Sequence, residues 1–169
     1  KSELEFKAGK ENGLSKKWLE NGQLAEKGKF ADGRKEGDWI WYLESGKTDM
    51  TGSFAADKQD GEWNYFYNDS EQILTKGNYK KDSRDGKWEY FYNDGSKWRI
   101  GYFQNGKKDS IWNTFHENGE PLLNGTYKIG LEDGEWNSYY ANKQQENKGT
   151  YKNGKMEGFW EGWYPSGKQ

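Results

Sequence analysis

Aromatic and polar positions alternate in short runs along the chain, and the runs recur about every 24 residues. Trp stands at 39, 63, 88, 112, 136 and 160, at spacings of 24, 25, 24, 24 and 24, and Ser15 holds the same phase one period earlier. Three positions on comes another ring each time: Trp18, Tyr42, Phe66, Phe91, Phe115, Tyr139 and Trp163. A further series runs Phe6, Phe30, Phe54, Tyr79, Phe103, Tyr127 and Tyr151. From its second member onward each ring lies two residues after a glycine, at 28, 52, 77, 101, 125 and 149. Between the two series sits a turn glycine at 13, 37, 61, 86, 134 and 158, with Ser110 the exception. The one extra residue falls between Trp63 and Gly77, where the stretch 67–72 lengthens a turn. Self-similarity at a fixed period is the signature of a repeat protein.

Each repeat reads as a β-hairpin. Asn21-Gly22, Asp94-Gly95 and Asn118-Gly119 punctuate short aromatic runs, which is hairpin chemistry. Runs such as Trp63-Asn64-Tyr65-Phe66-Tyr67 are rich in strand formers and too short for helices. Strand A is the Gly-x-aromatic segment and strand B the Trp-x-x-aromatic segment. A glycine in strand A lets a ring from the neighbouring strand lie across bare backbone. The expectation is one repeat array over 1–169, with hairpins at about 1–22, 23–46, 47–70, 71–95, 96–119, 120–143 and 144–169. It is an all-β, elongated, single-layer antiparallel meander, roughly 60 Å long for about 14 strands. Phe6 lies in the first strand and Trp160 in the last, both expected to be open edges, so edge-to-edge self-association is expected.

Composition changes the picture in one respect. Leu, Ile, Val and Phe make up only 22 of 169 residues, with no Val at all. Such poverty accompanies disorder when net charge is high, but here net charge is −2 and Trp, Tyr and Phe number 30. A buried ring removes roughly 150–250 Å² from water, so the core is expected to be built from rings. Residues 1–84 carry 15 basic and 16 acidic side chains, and the remainder 11 and 12. No basic stripe is available for phosphates, which argues against a nucleic-acid partner. Without cysteine there is no disulfide, thiol chemistry or Cys-ligated zinc. No apolar run approaches the ~18 residues of a membrane span. Because the chain begins at Lys1, an N-terminal segment is expected to be missing, with a lean toward a bacterial secreted or cell-envelope location.

The motifs YKNGKMEGFWEGWY (151–164), FADGRKEGDWIWYL (30–43) and YKIGLEDGEWNSYY (127–140) resemble the bacterial variant of the MORN repeat, whose members include YwqK-type antitoxin-like proteins. That pattern is an aromatic, an Asn-Gly-Lys turn, Gly-x-Trp and a further aromatic. Departures are Ser15 and Ser110 at signature Trp and Gly positions, and Ser70 and Lys143 at a turn glycine. The resemblance implies a single-layer sheet used as a scaffold or contact surface. GEWNYFYND (61–69) and GKWEYFYND (86–94) are also similar to choline- or glucan-binding repeats, but that repeat is shorter and lacks the longer turn.

Candidate chemistry is sparse. His116 is the only histidine and shares its phase with Leu19, Leu43, Tyr67, Tyr92, Tyr140 and Tyr164, so a strand role outweighs that of a general base. Gly46-Lys47-Thr48 lacks the first glycine of a phosphate loop. Asp57…Asp60 and Asp82…Asp85 lack calcium-loop spacing and read as turn formers. Asn68-Asp69-Ser70 and Asn124-Gly125-Thr126 are glycosylation triplets, with meaning only in a eukaryotic secretory pathway. No catalytic residue, metal ligand or cofactor site is assigned.

Two surfaces remain. Alternation places Trp41, Tyr65, Tyr67, Tyr90 and Tyr92 on the face of the signature Trp, an aromatic platform that could stack sugars or serve as the sheet's own core. The strand-A positions flanking the glycine are polar at Lys27/Lys29, Thr51/Ser53, Lys76/Asn78, Asn124/Thr126 and Lys148/Thr150, yet become Ile100/Tyr102 in the fifth repeat, with Trp98 expected on the same face. Repeat geometry does not demand that change, so Trp98, Ile100 and Tyr102 form a candidate contact patch, with local packing the alternative. The expected function is a non-enzymatic interaction module for another protein; the alternative is a cell-wall or glycan-binding repeat protein.

Overall fold

A computed structural model describes residues 1–169 and contains no helix; sixteen antiparallel strands fall into two compact units, Lys1–Ser83 and Arg84–Gln169. The first unit holds β1 (Ser2–Lys7), β2 (Lys10–Trp18), β3 (Leu24–Ala31), β4 (Arg34–Tyr42), β5 (Thr48–Ala55), β6 (Lys58–Gln59), β7 (Gly61–Phe66) and β8 (Ile73–Lys80). They lie side by side in the order β1-β2-β3-β4-β5-β7-β8, with β6 also on β5. The second holds β9 (Ser83–Phe91), β10 (Lys97–Gln104), β11 (Lys107–Phe115), β12 (Pro121–Lys128), β13 (Leu131–Glu132), β14 (Gly134–Tyr139), β15 (Gln145–Lys152) and β16 (Lys155–Gly162). Their order is β9-β10-β11-β12-β14-β15-β16, with β13 on β12. Each unit is an open single-layer meander, as the repeat predicts. Sixteen segments replace about fourteen strands because two B strands are interrupted. Asp60 and Asp133 step out of the ladder and donate their N–H to the Ser53 and Thr126 carbonyls, which splits β6 from β7 and β13 from β14.

The core is a row of rings on one face. Trp39, Trp63, Trp88, Trp112 and Trp136 are buried. Trp39, Trp63, Trp112, Trp136 and Trp160 each lie across a strand-A glycine, at 28, 52, 101, 125 and 149, so close that a Cβ there would overlap the indole. The indole N–H then reaches the next carbonyl along that strand: Trp39 to Lys29 at 3.2 Å, Trp63 to Ser53 at 3.2 Å and Trp112 to Tyr102 at 3.1 Å. Strand-A rings stand edge-on at both sides. Phe30 and Phe54 flank Trp39 with centroids at 5.2 and 6.2 Å, and Phe103 and Tyr127 flank Trp112 at 5.2 and 5.7 Å. Edge-to-face pairs of this kind add to simple burial. In the first hairpin Leu4 replaces the glycine and a buried Ser15 replaces the Trp, paired directly across the strands.

Turns stitch successive repeats together. The A–B turns place two residues at positive φ, as at Asp32 (51°) and Gly33 (81°), the geometry of a type I′ hairpin. Asp57 and Asp82 occupy the second position at 69° and 68°, and their carboxylates accept the Lys35 and Gln59 N–H groups at 2.7 and 2.8 Å. Their turn-forming role is therefore visible in the backbone. The lengthened turn closes with Tyr67 N–H on the Gln72 carbonyl at 3.0 Å, one residue wider than Leu43 N–H on Lys47.

One local feature repeats six times. Near the start of each strand A a single residue has no partner on the preceding strand: Ala25, Asp49, Leu74, Trp98, Leu122 and Glu146. Such a bulge shifts the in–out alternation by one position.

Candidate functional site

Of the platform residues, Trp41, Tyr65, Tyr90 and Tyr92 pack against, or bond to, neighbouring rings and strands. Trp41 lies nearly parallel to Trp39 and Trp63, with centroids at 6.0 and 5.5 Å and both interplanar angles 27°. Its indole N–H donates to Glu26 at 2.9 Å. Tyr65 tilts onto Trp63 at 6.2 Å and its hydroxyl meets that of Tyr79 at 3.4 Å. Tyr67 is half-buried at the long turn. Tyr90 touches Trp88, Trp98 and Trp112 at 6.5, 6.0 and 6.4 Å, and Tyr92 donates to the Phe115 carbonyl at 2.8 Å. The ring faces of Trp41 are occupied by its neighbours, the arrangement of a core stack.

The Tyr92 position is structural in other repeats too. Tyr140 donates to the Trp163 carbonyl at 3.0 Å, and His116 Nε2 lies 2.8 Å from the Tyr139 carbonyl. A carbonyl only accepts, so Nε2 carries the proton here. His116 ties one hairpin to the next, as its phase among tyrosines suggests.

Of the three candidate patch residues, the structure places two on one face. Cross-strand pairing sets Ile100 opposite Glu89 and Tyr102 opposite Lys87, on the face away from the Trp row. Trp98 does not join them. It is the bulge residue, and its ring packs on Tyr90 and Tyr92 at 6.0 and 6.4 Å, with the Arg99 guanidinium 4.6 Å from its centroid. The strict alternation assumed from sequence fails at the bulge, and Trp98 belongs to the aromatic face. Ile111 takes its place beside Ile100 and Tyr102. Ile100 pairs with Asn113 across the β10–β11 ladder, and Ile111 is 54% exposed against 40% for Tyr102. The signal for Ile111 lies in its column, where four repeats carry Asp38, Glu62, Lys87 and Glu135 and only the first and last carry apolar residues, Leu14 and Phe159. Around the apolar residues lie charged ones: Glu89 bridges Lys87 at 3.0 Å and Lys97 at 3.5 Å.

On the opposite, aromatic face three cations cover the rings. Lys35 Nζ sits 4.2 Å from the Trp39 centroid, the Arg84 guanidinium 4.5 Å from Trp88, and Lys108 Nζ 4.6 Å from both Trp112 and Tyr127. Burial, helped by the nearby Arg99 charge, pulls the Lys108 ammonium below its ordinary pKa. Burial, then the Glu132 carboxylate, pushes the Tyr127 phenol up. No group of three or more acidic or histidine side chains is gathered as a metal site would need.

Two stretches of the chain, residues 11–32 and 84–107, match the MORN repeat variant. Each lies within one compact unit, and each covers the sequence of strand B, turn and following strand A that the hairpin geometry repeats elsewhere. No curated protein matches the chain.

Proposed function

We propose that this chain is a non-enzymatic repeat module that holds another protein, with the contact centred on Ile100, Tyr102 and Ile111. The observation that carries this reading is an apolar cluster, exposed at Tyr102 and Ile111, on a face that is polar at the same columns of most other repeats. MORN repeats often serve as contact modules for proteins or membranes. An apolar centre with a charged rim, here Lys87, Glu89 and Lys97, is the usual anatomy of a protein interface. The bacterial, YwqK-type relationship rests on the motifs of 30–43, 127–140 and 151–164 and belongs to the same proposal.

The test is an Ile100→Thr/Tyr102→Thr/Ile111→Lys variant, each replacement being a residue that other repeats carry at or near that column. Proteins captured by the wild-type chain are identified, and the affinity of the best is measured against both forms. Losing central apolar anchors should cost about 30-fold or more in Kd, with the melting temperature unchanged. A variant that binds its partner as tightly as wild type defeats the proposal, and one that unfolds shows the cluster to be core. Glycan-array binding lost on Tyr65→Ala or Tyr90→Ala would instead move the function to carbohydrate.

A further inference from the structure

The cation column changes character near the end of the second unit. Lys35 and Lys108 stand opposite the strand-A rings Phe30 and Phe103, and each holds its ammonium over the Trp four residues on. The column also lacks a cation at Glu11, opposite Phe6, and Gln59, opposite Phe54. Only at Glu132, opposite Tyr127, and Met156, opposite Tyr151, do two successive repeats lack it. The ring column that supplies Trp41, Tyr65 and Tyr90 already ends at Thr114 and continues as Ser138 and Gly162, so the last two repeats lack both the ring and the cation. Both losses remove cover from the aromatic face. What they leave is a cleft of about 400 Å³ lined by Glu132, Trp136, Ser138, Tyr151, Met156 and Trp160, among others.

The chemistry of this cleft is one-sided. Three of its walls are aromatic, and its carboxylate, Glu132, lies near the Tyr127 phenol, which it helps push up in pKa, and forms no salt bridge. Of the neighbouring cations, Lys152 pairs with Asp133 and Lys148 with Glu135. Lys108 lies near enough to feel the Glu132 charge but holds its ammonium over the Trp112 and Tyr127 rings and donates to the Tyr127 hydroxyl at 3.4 Å. The buried indole N–H groups of Trp136 and Trp160 have no acceptor, unlike those of Trp39, Trp63 and Trp112. These two rings are thus held by packing alone. Three other repeats show what such a slot accepts when the chain fills it itself: an ammonium or a guanidinium, 4.2 to 4.6 Å from an indole. An aromatic wall attracts a cation through its quadrupole, and a carboxylate adds a charge-assisted hydrogen bond.

We infer that the Glu132–Trp136–Trp160 cleft is a docking slot for a lysine or arginine side chain presented by a partner protein. This rests on the protein-binding reading above but uses the other face of the sheet. The side chain enters where the chain's own cation would lie, its stem against Tyr151 and Met156 and its head between the rings and Glu132.

The other repeats also supply the test. Glu132→Lys installs the internal cation found at Lys35 and Lys108, and Ser138→Tyr restores the ring found at Tyr65 and Tyr90. Both should plug the slot and leave the fold intact, which the melting temperature checks. Short capped Gly-Ser peptides bearing a single Arg, Lys or Gln are titrated into the 169-residue chain, and the indole N–H resonances are followed by NMR. The Trp136 and Trp160 signals should shift saturably with the Arg and Lys peptides and not with the Gln peptide. Affinity should fall at least tenfold in either plugged variant. Equal response to the Gln peptide, no response at millimolar peptide, or undiminished binding in a folded Glu132→Lys chain each overturns the proposal. Should either variant unfold, Met156→Lys plugs the same cleft from its other wall. If the slot fails while the Ile100/Tyr102/Ile111 variant still loses its partner, the protein-binding reading stands without this site. If the slot binds but that variant keeps its partner, the contact lies on this face instead.

Discussion

At the scale of single residues, the repeat exposes its own irregularities as strain. Most hairpins place glycine where the B strand bends back, as at Gly37 and Gly86 with φ of 66° and 70°, but the fifth places Ser110 there at 59°. A side chain in the left-handed region costs about 1–2 kcal/mol. Ser110 makes only a local contact with Asp109 in return. Ser110→Gly should therefore stabilise the chain by about 1 kcal/mol, less the added entropy of the unfolded glycine. It should appear as a higher urea midpoint at unchanged slope. Ile129 is the sharper case: a β-branched residue at φ 53° in the first position of a two-residue turn, 63% exposed. Three other repeats hold Asp32, Asn105 and Asn153 in that position and three hold Ala8, Ala56 and Lys81, none of them β-branched. Ile129→Asn should gain a comparable amount, and a lower midpoint for either substitution would show that the native side chain contributes more than the backbone loses.

At the scale of the element, the pairing of a strand-A glycine with a strand-B Trp is a two-residue device, and the first hairpin proves its logic by breaking both halves. Leu4 can stand in the glycine position because Ser15, across from it, carries no ring. Ser15→Trp alone should destabilise by about 1–3 kcal/mol through overpacking. Adding Leu4→Gly should recover most of that loss, giving a coupling energy of more than about 1 kcal/mol in a double-mutant cycle. Additive effects would mean the ring finds another place. This device explains why so much of the fold was legible. Trp39 and Gly28, or Trp136 and Gly125, announce strand identity, order and facing at once, because only bare backbone accepts an indole across it. The bulge was not legible. Ala25, Asp49, Leu74, Trp98, Leu122 and Glu146 share no chemistry, since the unpaired position is set by the turn before it rather than by a side-chain preference. Hence strict alternation puts Trp98 on the wrong face and gives no hint of Ile111, one strand on. The Glu132 cleft escaped for a related reason: it arises from two substitutions in separate columns, neither of which signals anything alone.

At the scale of the whole molecule, the question is what the 169-residue chain does with its outermost strands. β1 pairs only with β2, and β16 only with β15, so each presents a row of unpaired backbone groups. Their side chains are matched. Trp160 meets one strand-A ring, Tyr151 at 5.1 Å, where Trp39 and Trp112 each meet two. Phe6 holds the phase of the missing second ring and is 63% exposed, and Phe159 on β16 is 97% exposed. β1 of one copy therefore offers β16 of another the contact that Phe54 gives Trp39 within the sheet. The join is head-to-tail rather than two-fold, so it should yield a ladder of species instead of a single dimer. Opposing it are the charges on both edges, Glu3, Glu5 and Lys7 on one and Glu157 and Glu161 on the other, the usual protection of an open strand. With net charge −2 and an isoelectric point near 5.6, repulsion between copies is weakest just below neutral pH. Light scattering should show concentration-dependent association that peaks near the isoelectric point and weakens on either side. Phe6→Lys, or Phe159→Lys, should abolish it. A strict monomer at every pH and concentration, or association that both lysine variants retain, would show that these edges are adequately protected as they stand.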